Sequence, residues 1–242
     1  MCLVSQVLGS SATQLSYYPG RVAGYLKLRG DIARQLSRQI AEAVGFLHTS
    51  GVVYGDLTAS NVLLRLTNID AWSDKEIYER LGSPIKKNVL DSAGDTAGRH
   101  APDYLVKPAN LSHLDPIFLT KDIVLIDFGQ SFRAGLPPDH GTGTPPSYCS
   151  PETFFGGSMS VASDVWALAC TIHETRAGAQ LFASFFGGNN EIIRQIVQTF
   201  GKLPEPWWSA WGSRSIYFGD DGKPNETWPD GIALAVEYPL EA

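Results

Sequence analysis

YGDLTASN at residues 54–61 and IDFG at residues 126–129 each interrupt a run of β-branched and aliphatic residues with a carboxylate. GVVYGDL leads to Asp56, NVLLRL follows from Asn61, and KDIVLI runs into Asp127. Val, Ile and Leu crowded together this briefly read as short strands. A buried strand that stops at a carboxylate needs a reason, because a charge at the edge of a core is costly unless it is paired or binds a ligand. Asp56, Asn61 and Asp127 are therefore the candidate chemistry-bearing side chains, and all three offer hard oxygen atoms. Each alone is a weak signal, since Asp and Asn commonly cap turns. Their order and context carry the weight.

Composition narrows the classes. At 242 residues and 43% hydrophobic, the chain can fill one large core or two small ones. Its 25 acidic and 19 basic residues give a net charge of −6, with no Lys/Arg-rich run. That argues against direct nucleic-acid or anionic-membrane binding and tolerates a basic protein substrate. Cys2, Cys149 and Cys170 have neither disulfide-framework nor zinc spacing, so a reducing compartment, cytoplasmic and/or nuclear, is expected. No stretch approaches the roughly 18 apolar residues of a membrane span. The opening MCLVSQVLGSS fits a strand better than a signal peptide.

Outward from the Asp56 loop, Ile32, Leu36, Ile40, Val44 and Leu47 recur three or four apart over residues 31–51. This spacing predicts an amphipathic helix capped by Asp31 and followed by Gly51. Residues 65–122 break up into charges and Pro84, Pro102, Pro108 and Pro116, and read as an insert. Within it only SDKEIYERLG (73–82) predicts a helix, capped by Ser73. KDIVLIDFG (121–129) predicts a buried strand ending in Asp127. After a Gly/Pro-rich loop, SDVWALACTIHE (163–174) predicts a nearly all-apolar helix from a Ser163 cap. NEIIRQIVQTFG (190–201) predicts another between an Asn190 cap and Gly201, whereas LPEPWWSAW (203–211) has no clear period. Helices outnumber strands, which points to a helical domain with a small β-platform rather than a doubly wound sheet.

In this order, YGDLTASN, IDFG, YCSPE (148–152) and SDVWALA (163–169) resemble four motifs of eukaryotic protein kinases. These are the catalytic loop, the DFG motif, the end of the activation segment and the central buried helix. CLVSQVLGSS, the insert with LGSP and PDYLVKP, IDFGQSF and LPEPWW look like the fungal branch of SR-protein kinases. The resemblance implies a protein-kinase-like α+β fold, a mainly α-helical large lobe with a few short strands at the catalytic loop. Over residues 1–242 it implies a partial kinase domain: hinge strand 1–10, first helix and catalytic loop 11–64, insert 65–122, DFG-to-SPE segment 123–152, and a helical subdomain 153–242 that is short at its end.

It also implies ATP- and Mg²⁺-dependent transfer to serine or threonine hydroxyls of a protein substrate, Arg/Ser-rich in the SR-kinase branch. Asp56 would accept or orient the hydroxyl proton, and Asn61 and Asp127 would hold Mg²⁺. Leu63 would floor the adenine, and the backbone of Gln6, Val7 and Leu8 would supply the hinge hydrogen bonds. Tyr54, Phe128 and Gly129 would set geometry by packing, while Glu152 and Asp164 would staple the activation segment and catalytic loop.

Departures from the pattern matter as well. No GxGxxG and no VAIK-like stretch occurs in the chain, which begins at the hinge, so an absent small lobe and weak unaided catalysis are expected. Tyr54-Gly55-Asp56 stands where HRD is usual, so the Arg that pairs with an activation-loop phosphate is missing. Thr58 replaces a usual Lys, Pro145 stands where a Thr would align, and Ala169 replaces a Gly. Two other classes compete: a pseudokinase or lobe fragment serving as a binding module, and a small-molecule phosphotransferase sharing the GDL…N loop. The second lacks an SPE segment followed by a DVW helix.

Overall fold

The computed structural model describes residues 6–15, 27–67, 69–96, 98–109, 111, 114, 116–139, 143–184 and 188–225. The first half of the expected hinge strand, residues 1–5, and the end of the expected helical subdomain, 226–242, lie outside the described residues.

The amphipathic period over 31–51 produces helix α2 (Gly30–Thr49), which follows the single turn α1 (Ala12–Leu15) and buries Ala33, Leu36, Ile40 and Val44. Its cap differs from expectation. Arg29 holds the N-cap position without a side-chain bond, and Asp31 sits in the first turn, paired with Arg29 at 2.8 Å. A carboxylate there still favours the positive end of the helix dipole.

Strands β1 (Leu8–Ser11), β3 (Val62–Leu66) and β6 (Leu119–Leu125) form an antiparallel sheet in the order β1-β3-β6. Strand β2 (Val52–Val53) pairs with β7 (Phe132–Arg133). This pairing decides where the chemistry lies. Val62 is opposite Leu125, just before Asp127, and Val53 is opposite Phe132, just after the DFG turn. The loop 54–61 and the loop 126–131 are thus clamped together at both ends. Although expected to be buried, β6 is half-buried with Lys121 and Asp122 exposed, because α2 covers only one side of the sheet. The Gln39 side chain on α2 fastens the two elements, accepting from Ile123 N at 3.1 Å and donating to Lys121 O at 2.7 Å.

Within the insert, Ser73 caps α3 (Asp74–Leu81) as expected, in a reciprocal box with Glu76. The insert also holds a hairpin that the sequence did not signal, β4 (Lys86–Asn88) paired with β5 (Tyr104–Val106). Neither strand alternates apolar with polar residues, and both are exposed.

The short α4 (Pro151–Phe154) leads to α5 (Val161–Ala177), which runs through the core and buries Asp164, Ala167, Cys170, Thr171 and Glu174. Its cap is Ser160 rather than Ser163. The Ser160 hydroxyl accepts from Ala162 N at 3.2 Å, and the Ser163 hydroxyl accepts from Ser160 N at 3.2 Å while donating to Glu152 Oε1. Replacing Ser160 with alanine should lower stability by about 1 kcal/mol, the usual loss for an N-cap, read as a shifted urea midpoint at unchanged slope.

Helix α6 (Asn189–Phe200) is capped by Gly188, not Asn190. Asn190 lies in its first turn and accepts from the Trp211 indole at 2.9 Å. The turns α7 (Trp207–Ala210) and α8 (Arg214–Tyr217) complete the described chain, with Trp208 and Trp211 buried against Phe218. This aromatic group is packing. One core joins Ile40 and Val44 of α2, Ala167 and Cys170 of α5, Ile192 and Ile196 of α6, and Tyr54, Leu57 and Val62 around the Asp56 loop. The loop is anchored in that core by its own side chains.

Candidate active site

Leu57 is fully buried, and Asp56 before it is only partly so. The alternation fixes the loop while leaving Asp56 partly exposed. Asn61 braces it: its Nδ2 donates to the Asp56 backbone carbonyl at 2.9 Å and to Asp56 Oδ2 at 3.1 Å. The other oxygen, Asp56 Oδ1, is buried and has no hydrogen-bond partner. A carboxylate oxygen so placed is under-satisfied until something binds it.

Asp127 reaches the same place from the other loop. The Ile126 N–H donates to the Asn61 backbone carbonyl at 3.0 Å, so β6 delivers the next residue beside Asn61. Asp127 itself takes the left-handed conformation, φ 58° and ψ 68°, and its Oδ1 accepts from Gly129 N at 3.4 Å. Non-glycine residues rarely adopt this backbone, and Asp tolerates it better than most. The turn presents the Asp127 side chain to solvent. Burial, together with the negative charge of Asp127, raises the pKa of Asp56, and the Asn61 bond opposes them. Burial also pushes the Tyr54 phenol upward, assisted by the charges of Asp56, Asp127 and Asp164.

Tyr54 and Phe128 pack edge to face at 5.1 Å, joining the two loops through their rings. The Tyr54 hydroxyl donates to the Ile126 carbonyl. Beneath them, Asp164 at the start of α5 accepts from Tyr54 N at 2.7 Å, from Gly55 N at 2.9 Å, and meets His48 Nε2 at 2.9 Å. Gly55 has φ 79°, and a Cβ there would stand 2.6 Å from the Gln130 carbonyl oxygen. The position where an Arg was expected is one where any side chain would collide with backbone.

The structure therefore brings together Asp56, Asn61, Asp127, Tyr54, Phe128, Gly129 and Asp164. Leu63 lies next to them in mid-β3, half-buried between Ser11 and Val124. Leu8 is opposite Arg65 on the same sheet, and the exposed Gln6 accepts from Arg65 Nη1 at 3.0 Å, with Val7 exposed between them. Glu152 is apart from the group, with Ser163 as its partner.

Three features were not read from the sequence. The buried Thr144 hydroxyl donates to the Gly55 carbonyl at 2.5 Å, one residue before the Pro145 that the motif alignment singled out. The Gln130 side chain accepts from Gly143 N at 3.3 Å. His48 supports Asp164 across more than a hundred residues of chain. All three contacts are long-range, and no local pattern signals them.

Among the described residues no group of three or more His, Cys, Asp or Glu side chains is arranged to hold a metal ion. Nevertheless, the pair Asn61 and Asp127 beside an unpartnered Asp56 oxygen is chemically suited to Mg²⁺, which binds few protein oxygens and keeps other positions for phosphate and water.

No protein-family model matches the chain. It is 25% identical over 231 residues to serine/threonine-protein kinase AFC2 of Arabidopsis thaliana, covering 96% of this chain and 45% of that protein. Serine/threonine-protein kinase AFC1 of the same plant is 25% identical over 232 residues, 96% of this chain and 42% of that protein. Dual specificity protein kinase KNS1 of Saccharomyces cerevisiae is 25% identical over 185 residues, 75% of this chain and 21% of its own length. The chain thus spans less than half the length of these relatives. Similarity over nearly all of this chain, together with a helical lobe built on a few short strands, makes it a homologue of the serine/threonine protein kinases with a protein-kinase-like α+β fold.

Proposed function

We propose that the chain carries the large-lobe machinery of an ATP- and Mg²⁺-dependent serine/threonine protein kinase of SR-protein-kinase type. The observation behind this reading is the Asn61 amide bound to Asp56 beside Asp127, with one Asp56 oxygen left without a partner. In this reading Asp56 orients the acceptor hydroxyl and takes its proton as the hydroxyl oxygen bonds to the γ-phosphorus of ATP and the bond from that phosphorus to the bridging oxygen breaks, releasing ADP. Asn61 holds Asp56 in position through Nδ2, and Asn61 and Asp127 would hold the metal when it is bound. When bound, Mg²⁺ would neutralise charge on the transferred phosphoryl group. Leu63 and the backbone of Gln6, Val7 and Leu8 line the adenine side.

A basic, Arg/Ser-rich peptide substrate belongs to the same reading, and the net charge of −6 tolerates it.

Thermal melting tests nucleotide use without requiring turnover. MgATP at a hundred times its dissociation constant should stabilise the wild type by about 2.7 kcal/mol, and Asp127→Ala should abolish the rise in Tm. Identical wild-type melting with and without MgATP would leave the binding-module reading in its place. Transfer to an amino alcohol but not to an Arg/Ser-rich peptide would favour a small-molecule phosphotransferase.

A further inference from the structure

The hairpin of the insert has a guarded edge and an open one. Lys87 is opposite Leu105, and this pair is bracketed by bonds from Lys107 N to the Ile85 carbonyl at 2.9 Å and from Val89 N to the Asp103 carbonyl at 3.0 Å. In an antiparallel pair, residues that bond across the ladder alternate with residues that face away from it. Asp103, Leu105 and Lys107 therefore direct their backbone groups to β4, and Tyr104 and Val106 turn their N–H and C=O groups to the outer edge of β5. No described residue takes those groups. The backbone of β6, by contrast, is occupied at Lys121 and Ile123 by the Gln39 side chain, which blunts it for further pairing.

The strand itself specifies what covers this edge. Tyr104, Leu105 and Val106 are all exposed, and a two-stranded hairpin by itself is marginal in water. The segment Pro102-Asp103-Tyr104-Leu105-Val106-Lys107-Pro108 is symmetric in kind about Leu105, with apolar neighbours, then opposite charges, then prolines. Laid antiparallel on its own copy about Leu105, it sets Tyr104 against Val106 of the second copy, with the outward backbone groups of each facing the other. Asp103 then meets Lys107 of the second copy. Aromatic against β-branched, and acid against base, are favourable cross-strand pairs. Leu105 meets Leu105 of the second copy at a non-hydrogen-bonded position, where side chains stand closest.

Other registers fail. Sliding either way to the next one that pairs outward-facing residues puts Pro102 or Pro108 opposite Val106 or Tyr104, and proline has no N–H to give. An odd shift sets outward-facing groups against groups already bonded to β4. The same self-pairing of β4 about Lys87 places lysine against lysine, which is repulsive and guards that edge.

We infer that the outer edge of β5 is a self-association surface, on which a second copy of this chain adds its own β5 antiparallel about Leu105 and joins the two hairpins into one continuous sheet. The contact is isologous and so closes at a dimer. Being small, it is weak and transient. It lies on a sheet separate from the one that leads into Asp127, and it stands independently of the kinase reading.

Sedimentation equilibrium of the full chain from about 1 to about 300 μM tests it, with a dimer fraction that rises with concentration by mass action. Val106→Pro deletes an outward N–H, leaves the bonds of Leu105 and Lys107 to β4 in place, and should abolish the dimer. Asp103→Lys alone and Lys107→Asp alone each face like charges at both ends of the pairing and should weaken it about tenfold or more. An equimolar mixture of these two variants faces lysine with aspartate at both ends and should recover wild-type affinity. Both positions are exposed, so far-UV melting of these variants should match wild type. A chain that stays monomeric to the highest concentration, a dimer unmoved by Val106→Pro, assembly beyond the dimer, or a mixture no tighter than its separate components overturns the inference.

Discussion

Asp164→Ala is expected to lose about 3–5 kcal/mol of stability, the range for removing one partner from a buried charged network. Its carboxylate is almost wholly buried and holds two backbone N–H groups of the Asp56 loop, those of Tyr54 and Gly55, together with the His48 imidazole. Alanine leaves both amides buried without an acceptor, and each such orphan costs roughly 1–3 kcal/mol. Asp164→Asn should lose less, because one oxygen still accepts while the amide nitrogen opposes a donor. Urea denaturation of the three proteins checks the ranking, with unchanged slopes showing that the folded state keeps its extent. An alanine variant within 1 kcal/mol of wild type would mean that the loop is held by Leu57 and the strand pairs alone. At partial destabilisation the MgATP-dependent rise in Tm should vanish before the fold does, since the loop supports the site.

Much of this arrangement was legible along the chain. The helical period of Leu36, Ile40 and Val44 and the carboxylates that end apolar runs are local signals, and each leads to the observed element. Helix starts were less so. Asp31, Ser163 and Asn190 each lie inside a first turn rather than at the cap, because a polar residue there can bond outward as readily as cap. Strand β6 was taken as buried from its aliphatic content, yet burial depends on whether a second layer covers the sheet, and Lys121 and Asp122 remain exposed.

Non-local contacts were the least legible. Gly55 reads in isolation as the loss of a regulatory Arg. In the fold it is the point where the Gln130 carbonyl closes on the Asp56 loop, the Thr144 hydroxyl donates to its carbonyl, and Asp164 accepts from its N–H. The Thr144 hydroxyl thus ties its segment to the loop, and Asp164 holds the loop to α5, without an exposed cation. The missing Arg and the close-packed backbone are two aspects of one steric requirement, visible only once residues 55, 130 and 144 are placed together.

Asp56→Asn should separate function from stability at a single atom. On the proposed reading, replacing the proton acceptor should lower phosphoryl transfer about 10²–10⁴-fold, the contribution of a positioned general base. The fold should gain. Burial raises the Asp56 pKa in the folded protein, the Asn61 bond opposes that rise, and the charge of Asp127 adds to it. A carboxyl whose folded pKa lies above its unfolded value binds protons more readily when folded, so the stability it contributes is present in acid and lost as pH rises through the raised pKa. Asparagine has no proton to lose. It retains an oxygen for the Asn61 Nδ2 bond and removes repulsion with Asp127. The variant should therefore melt above wild type at pH 7, and the difference should shrink as pH falls towards about 4, the ordinary Asp value. MgATP should still raise its Tm, because Asn61 and Asp127 are untouched. A lower Tm at pH 7, or a difference that grows in acid, would show that Asp56 is stabilised as an anion and that its unpartnered oxygen is satisfied within the fold.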